Sequence, residues 1–219
     1  MHDSWDCYLL CDAEEAGVTQ TMFSINKAVF ENIFQFAGRN SFFDAVGVFF
    51  ADYFVYLLFI GLIIFIFTFF SHWRSRWVFI SALVLVVILG RGIITEGIRF
   101  FYDSPRPFVV LGVEPLIMES SRSFPSGHAT FLFSIATIVF YFNRRWGSVF
   151  FVAATINGIA RIFVGVHWPF DIVGGIVAGL LSGILVYKLI EPHFEGIKRK
   201  IDAVATPDGT VMEDRQQTE

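Results

Sequence analysis

Residues 123–142 read SFPSGHATFLFSIATIVFYF. A turn-forming Pro125-Ser126-Gly127 is followed at once by His128, and then by an unbroken apolar run from Ala129 to Phe142. The run predicts a helix buried in protein or lipid, and the small residues before it predict the helix N-terminus. Free backbone N–H groups and the helix dipole make such a terminus a ready anion site. An imidazole placed there fits either an ordinary helix cap or a reactive corner, and the rest of the chain decides between them.

Four more apolar runs accompany this one, over residues 46–70, 78–101, 148–166 and 172–190. Of the 219 residues, 55% are hydrophobic and 16% charged, with a mean hydropathy of +0.62. Soluble domains carry about 25% charged residues. The composition therefore excludes an ordinary soluble domain and predicts an all-α polytopic membrane protein of about five transmembrane helices. The 28 phenylalanines suit lipid-facing and interhelical surfaces. The chain opens without a basic stretch and apolar core, so no cleavable signal is expected.

Residues 1–21 are polar and acidic and are expected to be loosely ordered. Cys7 and Cys11 lie in this segment, and their spacing leaves a disulfide open. Residues 22–37 place Phe23, Val29, Phe30, Ile33 and Phe34 at amphipathic spacing on a run too short and polar to span. They predict an interfacial helix. The membrane domain is expected over 22–192, and residues 193–219 form a charged cytosolic tail.

Charge within an apolar span is costly, which makes each instance a candidate for function. Arg91, Glu96 and Arg99 lie in the second run, which Asp103-Ser104-Pro105-Arg106-Pro107 ends. The connection 108–124 holds Glu114, Glu119 and Arg122. Arg161 closes the fourth run, while His167 and Asp171 bracket the turn into the fifth. Spans alternate in direction, so the end of the second, start of the third, end of the fourth and start of the fifth share one membrane face. Arg99, Arg106, Ser126, Gly127, His128, Arg161, His167 and Asp171 are thereby brought together. Arg91 and Glu96 read as an internal ion pair, with a supporting role behind the site left open. Asp52 and Asn157 read as structural hydrogen-bonders.

The opposite face carries Arg74, Arg76, Arg144, Arg145, Lys188, Lys198, Arg199 and Lys200. The positive-inside rule puts that face in the cytoplasm, and so puts the N-terminus and the polar cluster outside. Guanidinium groups make forked hydrogen bonds to phosphate oxygens and stay charged when partly desolvated. A histidine followed four residues later by an aspartate can be oriented for nucleophilic attack, and a second histidine can protonate the leaving oxygen. A zinc site of His128, His167 and Asp171 is the competing reading, opposed by three arginines around a dication.

Arg99, six residues, Arg106-Pro107; Pro125-Ser126-Gly127-His128; and Arg161, five residues, His167, three residues, Asp171: this sequence resembles the three-part signature of the type 2 phosphatidic acid phosphatase superfamily. That superfamily includes membrane lipid phosphatases and soluble vanadium haloperoxidases. The resemblance covers residues 99–171, with two departures: Arg99 replaces the usual lysine, and Ala160 replaces the usual serine before Arg161. It implies that His167 forms a phosphohistidine and that Asp171 orients it. It gives His128 the role of general acid, while Arg99, Arg106, Arg161, Ser126 and the Gly127 backbone grip the phosphate. It implies no metal or other cofactor, and no nucleic-acid partner is expected.

Ser24-Ile25-Asn26, Asp44, Pro105-Arg106-Pro107-Phe108-Val109 and Ser123-Phe124-Pro125-Ser126 look like the small bacterial undecaprenyl-diphosphate phosphatases of that superfamily. Those enzymes remove the terminal phosphate of the C55 isoprenoid carrier at the outer face of the cytoplasmic membrane, for reuse in wall synthesis. Phosphatidylglycerophosphate, phosphatidic acid and lipid A phosphatases share the same motifs. The expected partner is thus an isoprenoid or glycerolipid phosphate in the bilayer, with the oligomeric state open. A non-enzymatic carrier of anionic lipid is the rival from another class.

Overall fold

The computed structural model describes the backbone of residues 5–205 and the side chains of residues 20–192. Cys7, Cys11 and the side chains of the charged tail lie outside the described residues. The helices are α1 (Trp5–Phe34), α2 (Ser41–Phe69), α3 (Trp73–Phe101), α4 (Pro107–Leu111), α5 (Gly127–Phe142), α6 (Arg144–Phe163) and α7 (Pro169–Ala205), with no strand among the described residues.

Among the described residues, α2, α3, α6 and the Pro169–Pro192 part of α7 are long and apolar enough to cross a membrane. Only 22% to 50% of each of their apolar windows is buried by protein, which leaves the remainder for lipid. The fifth expected span, α5, has 16 residues, below the ~20 needed to cross alone. It is the central helix, buried from Ala129 through Val139 except at Phe131. A helix that is apolar on every side is stable only when surrounded, and α6 and α7 pack along most of its length.

Close packing of α5 on α7 depends on a stripe of small residues, Gly175, Gly179 and Gly183. A Cβ on Gly179 would lie 2.8 Å from both Phe133 Cβ and Thr130 O. Such spacing lets two backbones approach within a membrane.

Several boundaries differ from those expected. Helix α1 begins at Trp5, not in the twenties, so residues 5–21, expected to be loosely ordered, are helical. Leu9, Leu10, Ala13, Glu14, Glu15 and Ala16 are good helix formers that extend it backwards. Its described part lies over the turn between α6 and α7. Phe30 is fully buried with its ring 5.2 Å from that of Trp168, and Phe170 N donates to Asn26 Oδ1 at 3.0 Å. Helix α2 begins at Ser41 because Asn40 caps it, its Oδ1 accepting from Phe42 N at 2.8 Å.

Both α2 and α3 contain a wide π segment, at Phe49–Tyr53 and Ile88–Thr95. Such segments disturb the regular hydrogen-bond ladder and are frequent at functional sites. In α2, Asn157 of α6 donates to the Phe50 and Ala51 carbonyls at 2.7 and 2.9 Å, the structural role expected of it. In α3, Thr95 Oγ1 donates to the Gly90 carbonyl at 3.0 Å.

Substituting Gly179→Val should push α7 off α5 and cost about 1–3 kcal/mol by overpacking. The thermal unfolding midpoint in detergent should fall accordingly, and an unchanged midpoint would contradict this packing.

Candidate active site

The second half of α3, the connection before α5, the start of α5 and the turn between α6 and α7 meet around one cavity of about 550 Å³, which Val55 of α2 also borders. Arg91, Arg99, Glu119, Gly127, His128 and His167 line it. Of the residues grouped from the sequence, Arg99, Gly127, His128 and His167 line the cavity, while Arg106 and Arg161 lie behind Glu119 and Asp171 lies behind His167.

His167 reaches this cavity because α6 stops at Phe163 and Gly165 turns the chain. On one continuous helix, Arg161 and His167 would diverge by about 120°. Gly165 has φ +88°, a left-handed conformation that disfavours a side chain. A Cβ there would also lie 2.7 Å from Phe34 of α1.

The imidazole is 1% exposed, with Nδ1 3.3 Å from Asp171 Oδ2. That carboxylate oxygen also accepts from Trp168 N at 2.8 Å and from the Ser123 hydroxyl. Asp171 is therefore held by three donors, including the N–H beside the histidine it orients. Holding Nδ1 leaves Nε2 toward the cavity, where it can act as a nucleophile. Burial, and then the charges of Arg161 and Arg106, push the His167 pKa well below 6.5. The nitrogen lone pair is thus free at neutral pH.

His128 sits half-buried on the first turn of α5, and neither ring nitrogen has a hydrogen-bond partner among the described residues. It can exchange a proton with a ligand in the cavity. Beneath it, Ser126 is fully buried and caps α5, its hydroxyl accepting from Ala129 N at 3.5 Å. The Ser126 side chain is not among the cavity-lining groups, whereas Gly127 is.

The three motif arginines are built into the wall. Arg99 donates through Nη2 to the Pro125 carbonyl at 3.0 Å and has an unpartnered Nε. Arg106 donates through Nε to the Ser121 carbonyl and through Nη1 to the Val166 carbonyl, both at 2.7 Å. Its Nη2 donates to Ser121 Oγ at 3.0 Å and to Glu119 Oε2. Burial lowers its pKa to about 10, which leaves it charged at neutral pH. Arg161 is fully buried and donates to Asp52 Oδ1 at 2.9 Å and to Glu119 Oε1. Glu119 thus bridges Arg106 and Arg161 with one oxygen each, in the manner of an anionic ligand.

Arg91 and Glu96 form the expected ion pair, and Glu96 also lies 3.5 Å from Arg99 Nη1. Sequence reasoning missed the parts played by Glu119 and Ser123. Glu119 stands in a polar connection without helical or motif spacing to either arginine. Ser123 was visible as a neighbour of the Pro125 motif, but its bond to Asp171 arises from folding.

Two results should follow. The His167 imidazole should stay neutral through pH 6.5, as read by histidine side-chain NMR of the solubilised protein, and titration near 6.5 would contradict its burial. Because its folded pKa is depressed, its contribution to stability is present above about pH 6.5 and is lost as pH falls through the folded value. Glu119→Gln should free the two arginines and tighten inhibition by orthovanadate about threefold or more, by removing an internal competitor. It should also lower the melting temperature, because buried charges lose a partner. Unchanged vanadate affinity would show that Glu119 does not compete for the anion position.

Residues 80–195, more than half of the chain, match the model of the PAP2 superfamily. The chain is 33% identical over 165 residues to the bacitracin transport permease protein BcrC of Bacillus licheniformis, with 74% of this chain and 79% of that protein covered. It is 29% identical over 186 residues to the undecaprenyl-diphosphatase BcrC of Bacillus subtilis, with 82% and 93% covered. The crystal structure of Aquifex aeolicus LpxE matches with a TM-score of 0.62 at 28% identity, over 75% of this chain and 95% of that one. The matched region of the superfamily model includes all three motifs. The chain belongs to the PAP2 superfamily and is a multi-pass membrane lipid phosphatase of that family.

Proposed function

We propose that the protein hydrolyses undecaprenyl diphosphate to undecaprenyl phosphate and inorganic phosphate at the outer face of the cytoplasmic membrane. The observation that carries this reading is the arrangement of the two histidines. His167 lines the cavity with its Nδ1 held by Asp171, and His128 lines the same cavity with no hydrogen-bond partner for either ring nitrogen among the described residues.

In the proposed reaction, His167 Nε2 attacks the terminal phosphorus, and the bond from phosphorus to the bridging oxygen breaks. His128 gives that oxygen a proton, and Asp171 stabilises the imidazolium that forms. Water, deprotonated by His128, then attacks the phosphohistidine and releases phosphate. Arg99, Arg106 and Arg161 offset charge on the transferring group. Phosphate binding to the last two requires Glu119 to give up its position. No metal is needed in this scheme, and Asp171 Oδ2 is already filled by three donors.

Two further observations support a long-chain lipid diphosphate. Val55 and Phe131 line the polar cavity and also an adjoining apolar groove between α2 and α5 with Leu58, Phe59, Leu62 and Ile135. The groove is too narrow, at about 10 Å³, to seat a chain, but it sets an apolar surface of α2 and α5 directly beside the polar cavity. The Bacillus subtilis relative is named an undecaprenyl-diphosphatase, and the alignment covers most of both chains. The outward orientation rests on the basic residues of the opposite face. The name of the Bacillus licheniformis relative favours a carrier instead. A carrier would use the arginines but would have no task for His128 or for the His167–Asp171 pair.

Purified protein should release phosphate from undecaprenyl diphosphate in excess chelator, and faster than from phosphatidic acid or phosphatidylglycerophosphate. Equal or faster turnover of the glycerolipids would remove the substrate assignment, and loss of activity on chelation would remove the metal-free scheme. Lipid binding without phosphate release would favour the carrier. His167→Ala should lower turnover by about a thousandfold or more, and near-normal rates would contradict its role.

A further inference from the structure

We infer that Arg91 determines specificity by binding the phosphate that departs with the lipid, so that the site selects a diphosphate over a phosphomonoester. This rests on reading the cavity as the site of a lipid diphosphatase.

Arg91 lies outside the three motifs, in the π segment of α3. It is a charge within an apolar span, which is costly unless it has a task. Its side chain is 38% exposed, against 7% for Arg99, 3% for Arg106 and 0% for Arg161. The motif arginines are therefore set into the wall, while Arg91 extends into the cavity that it lines. Among the described residues only its Nη1 has a partner, Glu96, so most of its N–H donors are available to a ligand.

The position is as informative as the exposure. A Cβ on Gly127 would lie 2.6 Å from Arg91 Nε and 3.1 Å from Cζ. The guanidinium thus lies directly over the residue preceding His128, and glycine at 127 makes room for it. Glu96 spaces Arg91 from Arg99 by accepting from the first and lying 3.5 Å from the second. Arg99 faces the transferring phosphoryl group, and Arg91 lies beside the proposed proton donor, where the leaving group must be.

The two substrate classes differ at that point. From a phosphomonoester the departing oxygen becomes a neutral alcohol once His128 protonates it. From a diphosphate the bridging oxygen departs as part of a second phosphate, which keeps negative charge after protonation. A guanidinium beside His128 meets that extra charge with forked hydrogen bonds. It has no counterpart to bind in a monoester, so its contribution should appear as a ratio of kcat/KM values. A purely structural Arg91–Glu96 pair would affect both substrates alike.

The test uses the full-length purified protein with farnesyl diphosphate and farnesyl monophosphate, which share one chain. Arg91→Gln should lose at least about tenfold more kcat/KM on the diphosphate than on the monophosphate. Inhibition by inorganic diphosphate should weaken by more than inhibition by orthovanadate. Arg91→Lys, which keeps charge without the fork, should shift both ratios in the same direction by about threefold, and it serves if the glutamine variant fails to accumulate. Equal losses on both lipids, or unchanged ratios in the variants, would overturn the assignment of Arg91. Absence of phosphate release from farnesyl diphosphate by the wild type would instead overturn the diphosphatase reading itself.

Discussion

The carboxylate of Glu119 lies between the guanidinium groups of Arg106 and Arg161, and much of the cavity end of the bundle is arranged through that contact. Arg161 is fully buried and also holds Asp52 of α2, while Arg106 holds the Val166 and Ser121 carbonyls. One carboxylate therefore joins the long connection before α5 to the end of α6, the start of α4 and, through Arg161, α2. Two cations taken out of water are costly unless an anion accompanies them. Glu119 supplies that anion.

This constraint also accounts for the electrostatics of the histidines. His167 is buried close to several arginines, which disfavours its cationic form and preserves a nucleophilic nitrogen. In the proposed reaction Asp171 compensates the imidazolium formed on attack, and Ser123 and Trp168 N hold its carboxylate in register. His128 has no such tether, which suits a group that exchanges protons with two different ligands. The division of labour between the two histidines follows from their surroundings, since the side chains are chemically identical.

Much of this was legible in the sequence because the apolar runs set the span count and their alternation set which ends coincide. Arg99, His128, His167 and Asp171 could be grouped without coordinates for that reason. Ser126 was legible as a motif residue, yet its side chain is a buried helix cap outside the cavity lining. Glu119 and Ser123 were illegible as partners because their contacts are made by an irregular connection, where no periodicity fixes direction. The π segments in α2 and α3 were also hidden, since local hydropathy does not distinguish a wide turn from an α turn. The left-handed turn at Gly165, which brings His167 to the cavity, is a backbone feature that hydropathy does not reveal.

The central claim is that His167 carries the phosphoryl group between substrate and water. Trapping that intermediate tests it most directly: the protein is mixed with a lipid diphosphate radiolabelled in its terminal phosphate, quenched in alkali and mapped by mass spectrometry. The account predicts alkali-stable label on His167 and on no other residue. Label on His128, or turnover of substrate without labelled protein at any time, would contradict it.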